Sequence, residues 1–84
     1  MELVATSRFL RGARKLGEPQ ASMLDAALRR FATNPRDPLL RLHKLKGDLG
    51  DHWAFSVDHD IRVLVRWEGD IAYLVNVGTH DQVY

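Results

Sequence analysis

His43, Asp60, Arg62, His80 and Tyr84 are the residues of this sequence whose types suit catalysis without a metal. Cleaving RNA through its own 2′-hydroxyl takes a general base, a general acid and a cation for the pentacoordinate phosphate. His, Asp, Tyr and Arg can fill those roles. The two histidines flank three apolar runs, with His43 before them and His80 after. Asp58-His59-Asp60 separates the first run from the second, Arg62 opens the second, and Tyr84 closes the sequence. Turn and tail residues of these types are more often solvated than catalytic. Arg62 can instead pair with Asp58 or Asp60, and His52 beside Gly50-Asp51 reads as a turn residue. A metal site built from His43, His59, His80 and Asp60 lacks any His-x-x-x-His or comparable spacing. The reading is therefore no metal and no cofactor.

Positioning such residues falls to the stretch from Trp53 to Val77. Trp53–Val57, Ile61–Trp67 and Ile71–Val77 alternate in polarity and are broken by Asp58-His-Asp60 and Glu68-Gly-Asp70. Such runs read as three strands of an antiparallel meander. The alternation puts Trp53, Phe55 and Val57 on one face, likewise Ile61, Val63, Val65 and Trp67, and Ile71, Tyr73, Val75 and Val77. Trp53 and Trp67 read as packing residues. A meander returning on itself can bring the end of its third strand, with His80 and Tyr84, beside Arg62 or the turn before it.

Upstream, Leu3-Val4-Ala5 reads as an edge strand. Thr6 or Ser7 can cap a first helix carrying Phe9, Leu10, Ala13 and Leu16, with Gly17 as its stop. Pro19 suits the first turn of a second helix, whose stripe is Leu24, Ala27, Leu28 and Phe31 and which ends at Asn34-Pro35. A loop of two or three residues would make the pair an antiparallel hairpin over the apolar face of the sheet. Residues 37–51 are too leucine-rich for a free loop and too broken for a clear element; Leu39, Leu42 and Leu45 are expected to tack them to the core. The fold class is α+β: an N-terminal strand and helical hairpin packed on an antiparallel three- to four-stranded sheet, in a single domain spanning 1–84.

Composition narrows the function classes. No cysteine is present, so disulfides and thiolate metal sites are excluded. Neither a signal peptide nor an apolar run near the ~18 residues of a membrane span is visible, so the expectation is a cytoplasmic protein with no membrane partner. The net charge of +1 conceals an asymmetry. Residues 1–46 carry ten Lys/Arg against four Asp/Glu, or +6; residues 47–84 carry two against seven, or −5. A basic half suggests a polyanionic partner, although Lys/Arg-rich helices also serve solubility alone.

Together these residues resemble the RelE/ParE superfamily of type II toxins, nearest its YafQ-like mRNA interferase branch. Ser7-Arg-Phe9 and Arg14-Lys-Leu16 resemble the family's opening. His43-Lys-Leu-Lys-Gly47 resembles its His-x-Leu-x-Gly element, and Asp58-His-Asp-Ile-Arg62 falls on its polar turn and second-strand start. Gly78-Thr-His-Asp-Gln-Val-Tyr84 matches a C-terminal Gly-Thr-His-x-x-x-aromatic signature. The resemblance implies the RelE-like microbial RNase fold and a ribosome-dependent endonuclease that cuts A-site codons without a metal. It carries catalytic roles to His43, Asp60, Arg62, His80 and Tyr84: His80 as general acid, Asp60 or His43 as base or its orienter, Arg62 on the phosphate and Tyr84 on the nucleotide. Arg8, Arg11, Arg14, Lys15, Arg41, Lys44 and Lys46 would grip RNA and ribosome. Ser56 stands where the YafQ-like branch has a further histidine. Implied partners are a cognate antitoxin, in a heterotetrameric or larger complex, with the ribosome and mRNA. Two alternatives share the fold: a ParE-like gyrase inhibitor, and an inactive module that only binds its antitoxin.

Overall fold

The computed structural model describes residues 1–84. The chain runs through β1 (Glu2–Ala5), α1 (Ser7–Arg14), α2 (Gln20–Thr33) and a 3-10 turn at Pro38–Leu40. It continues with β2 (His43–Lys44), a second 3-10 turn at Gly47–Leu49, β3 (Trp53–Ser56), β4 (Ile61–Glu68), β5 (Ile71–Thr79) and α3 (His80–Val83). The three β-branched runs form the antiparallel meander, which sits at the centre of a sheet ordered β1-β5-β4-β3-β2. β1 lies parallel to β5 at one edge. At the other edge β2 pairs antiparallel with β3. That fifth strand exceeds the expected three or four. It is two residues long, too short to show alternation in the sequence.

Thr6 explains how α1 starts and where it docks. Its hydroxyl accepts from the Phe9 N–H at 3.2 Å, which caps the helix, and lies 2.9 Å from the Leu74 carbonyl, to which it donates. The helix then packs along the half of β5 that β1 leaves uncovered. Contact there is close: a Cβ at Gly12 would stand 2.4 Å from the Val77 carbonyl oxygen. α1 ends at Arg14, before the expected Gly17 stop, and the connection to α2 is five residues, 15–19. Leu16 still packs against the core.

The core lies between α2 and one face of the sheet. Phe31 is fully buried and stacks on Phe55 with ring centroids 4.6 Å apart; Trp67 closes on it at 5.4 Å, and Trp53 meets Trp67 edge-on. Burying one such side chain stabilises the fold by roughly 1.5–3 kcal/mol. Two expectations need correction. Leu40, not Leu39, anchors the irregular stretch: Leu40 is 1% exposed and Leu39 is 68% exposed. The tight 3-10 turn capped by Asp37 rotates the register by one residue. In β5 the buried face is Ala72, Leu74 and Val77, not Ile71, Tyr73, Val75 and Val77. Leu64 faces Asn76 while Val65 faces Leu74, so Val75 is an extra residue that reverses the alternation.

Candidate active site

Directly opposed residues of neighbouring strands project to the same side of a sheet. His43, Ala54, Leu64 and Asn76 therefore form one cross-strand row, and Ser56, Arg62 and Gly78 the next. Both rows lie on the face opposite the Phe31–Phe55 core. Onto this face α3 folds back from the end of β5, packing on β4 and β5 and burying Val83.

The β3–β4 turn is held by Asp58, whose carboxylate accepts from the Asp60 N–H at 2.9 Å and the Ile61 N–H at 2.7 Å. This local bonding fixes where Arg62 emerges. Arg62 is half-buried and pairs with neither Asp58 nor Asp60. Its Nη1 donates instead to the backbone carbonyls of Asp58, at 2.8 Å, and Ile61, at 3.2 Å. The guanidinium is thus anchored by neutral dipoles on one nitrogen, with its charge uncompensated by a carboxylate.

Asp60, Arg62 and His80 line one cleft of about 390 Å³, together with Gln20, His59, Thr79 and Asp81. Tyr84 joins them from the last turn: its ring meets that of His80 edge-to-face with centroids 4.6 Å apart. Burial pushes the Tyr84 phenol above its ordinary value of 10.0, and the nearby Arg62 guanidinium pulls it partly back. The sheet thus brings together four of the five residues singled out for catalysis. His43 shares their face but not their cleft. It sits on β2, two strand spacings or about 10 Å from Leu64. Its ring Nδ1 is 3.1 Å from the Arg41 carbonyl. A carbonyl only accepts, so Nδ1 carries the proton and Nε2 presents a lone pair.

A second cleft adjoins the first across Arg62 and His59, lined also by Leu39, Arg41, Ser56 and Asp58. Arg41 is held in the left-handed region at φ 51°. Of the other candidate RNA-binding residues, Arg8, Arg11 and Lys15 line a groove between α1 and α3, which meets the His80 cleft at Ile61 and Thr79. Arg14 and Lys46 are exposed away from it. Lys44 lies across from Trp53, on the core side of the sheet edge, so it turns from the face that His43 occupies. None of these seven cations has a carboxylate within 4.0 Å. Gln20 and His59 belong to the clefts without having been picked for catalysis. His59 is visible in the Asp-His-Asp turn, whereas nothing local marks Gln20. No three His, Cys, Asp or Glu side chains gather at metal-ligating distance, and no helix is long and apolar enough to cross a membrane.

No protein-family model matches the sequence, and no curated protein is similar to it. Solved structures do match over nearly the whole chain. YafQ from E. coli superposes with a TM-score of 0.80 at 14% identity, covering 96% of this chain and 94% of its own. The YoeB/ParE toxin from Agrobacterium tumefaciens gives 0.77 at 19%, covering 95% and 99%. The E. coli DinJ–YafQ complex gives 0.70 at 15%, covering 99% and 97%. At these identities the likeness is one of architecture, and the chain has the fold of the YoeB, ParE and YafQ toxins.

Proposed function

We propose that this chain is the toxin of a type II toxin–antitoxin module and a metal-independent endoribonuclease that cuts mRNA in the ribosomal A site. The observation that carries this reading is the convergence of Asp60, Arg62 and His80 on one cleft, with Tyr84 against His80 and no acidic partner on Arg62. In the proposed reaction the base is Asp60 from within the cleft, or His43 Nε2 reaching the nucleotide from β2 on the same face; it takes the proton of the 2′-hydroxyl, and the 2′-oxygen attacks the adjacent phosphorus. The bond from phosphorus to the 5′-oxygen breaks, leaving a 2′,3′-cyclic phosphate. His80 delivers a proton to the departing 5′-oxygen. The anchored Arg62 guanidinium neutralises the charge that builds on the phosphoryl oxygens, a contribution that needs no reorganisation because its carbonyl bonds already fix it. Tyr84 orients the nucleotide beside His80, and whichever of Asp60 and His43 is not the base orients it.

Ribosome and mRNA as partners are supported by the uncompensated cations of the N-terminal half, since phosphate contacts supply most nucleic-acid affinity. An antitoxin partner is supported by the likeness to YafQ in its complex with DinJ. A segment laid over the α3 face would block the cleft. The testing experiment is primer extension on an mRNA in a purified translation system, with a ribosome-free control and the His80→Ala variant. Cuts within A-site codons that need ribosomes and vanish with His80→Ala support the proposal. Intact mRNA, at protein levels that arrest growth, overturns it and turns attention to gyrase supercoiling.

A further inference from the structure

α3 is only four residues long, yet it carries His80 and leads to Tyr84. A helix this short does not hold itself in place, because nucleation fixes several residues for each hydrogen bond gained. Its position must come from what it touches. Asn76, 7% exposed, is the one buried polar side chain of the protein. It lies on β5 immediately after the extra residue Val75. Its Oδ1 accepts from the Val77 N–H at 2.9 Å, which fixes the carboxamide, and its Nδ2 donates to the Gln82 carbonyl at 3.2 Å. The Gln82 side chain reaches back in turn, its Oε1 accepting from the Thr79 N–H at 2.8 Å. Gly78 makes room for this: a Cβ there would stand 2.6 Å from Gln82 Oε1 and 3.0 Å from Gln82 Cβ.

From this geometry we infer that Asn76 is a positioning residue, whose carboxamide pins α3 to β5 and so sets His80 and Tyr84 against Arg62. The inference rests on the proposed nuclease reading for its catalytic consequence, but the pinning itself stands on the bonds above. Val75 is part of the device. Were Val75 paired as an ordinary strand residue, alternation from Leu74 would turn Asn76 to the core side and Val77 to the α3 side, exchanging a satisfied amide for a buried unsatisfied one. The buried polar network therefore gives α3 one docked arrangement, where apolar contact through Val83 alone would allow sliding.

Two readouts test it in Asn76→Ala and in Asn76→Leu, the second close to asparagine in volume, uncharged, and unable to donate to the Gln82 main-chain carbonyl. Tyr84 is one of two tyrosines, so a Tyr73→Phe background isolates its ultraviolet titration. Loss of the pin exposes the phenol, and its titration moves down toward the ordinary tyrosine value in both variants. Single-turnover cleavage on programmed ribosomes falls about five- to tenfold in kcat with KM little changed, the population equivalent of one buried hydrogen bond. Unchanged Tyr84 titration and unchanged cleavage in a folded Asn76→Ala protein overturn the inference. If Asn76→Ala does not fold, the same two results in Asn76→Leu, which leaves no cavity, decide it. Should the parent protein cleave nothing, the nuclease reading fails, while the Tyr84 titration still decides whether Asn76 holds α3.

Discussion

Replacing Arg62 should separate charge from geometry at the cleft. In Arg62→Ala the cation facing the phosphate is gone. Donors of this kind, aimed at developing charge, are worth about 10²–10³ in rate. Arg62→Lys keeps the charge but loses the fork: an ammonium at that distance cannot hold the Asp58 and Ile61 carbonyls and also face the cleft. One charge-assisted bond is worth about 1.5–3 kcal/mol, so the lysine variant should lose about 10- to 150-fold. The assay is single-turnover cleavage on programmed ribosomes, read as a rate against enzyme concentration so that binding and chemistry separate. A second readout needs no RNA. Arg62 favours the Tyr84 phenolate, so removing the guanidinium should raise the Tyr84 titration further above 10.0. Because that phenol is raised in the folded protein, it contributes stability fully below pH 10.0 that is lost as pH climbs through the folded value. Docking of α3 should therefore loosen at high pH, and at a higher pH in Arg62→Ala. Parental cleavage by Arg62→Ala, or a Tyr84 titration that falls, would refute this account of Arg62.

Other outcomes follow from the same geometry. Phe31→Ala empties the centre of the aromatic stack and should cost about 3–5 kcal/mol, a large share of the roughly 4–13 kcal/mol expected for a chain of this length; thermal unfolding by circular dichroism checks it. Gly12→Ala forces a methyl against the Val77 carbonyl and should cost about 1–3 kcal/mol in a denaturant titration, although alanine is the better helix former. Neutral His43 should carry its proton on Nδ1, visible in nitrogen-15 spectra. Of His43→Ala and Asp60→Ala, the one that removes the general base should slow cleavage by about 10²–10⁴ and the other by less, measured in the same single-turnover assay.

Much of this arrangement is legible in the sequence. The β-branched runs and their polar breaks give the meander, and hairpin topology alone brings His80 and Tyr84 back beside Arg62. Trp53 and Trp67 read correctly as packing residues because their alternation places them with Phe55 and Val65. What is not legible depends on single-residue shifts. The extra residue Val75 has no signature, being one β-branched residue among several, yet it decides which half of β5 is buried. Leu40 and Leu39 are chemically identical, and only the 3-10 turn set by Asp37 and Pro38 chooses between them. Asn76 looks like a solvent-facing residue of a mixed strand face until α3 covers it. Sequence order places His43 before the meander without showing that it lies on a strand, and β2 puts it at the far edge of the sheet.

The central claim is that the RNA's own 2′-hydroxyl is the nucleophile, activated by this chain's side chains. The most direct test is a programmed ribosome carrying an mRNA with a single 2′-deoxynucleotide on the 5′ side of the expected cut. Cleavage of the all-ribose message to a 2′,3′-cyclic phosphate, with the deoxy message left whole, is the predicted result. Equal cleavage of both messages would contradict the account.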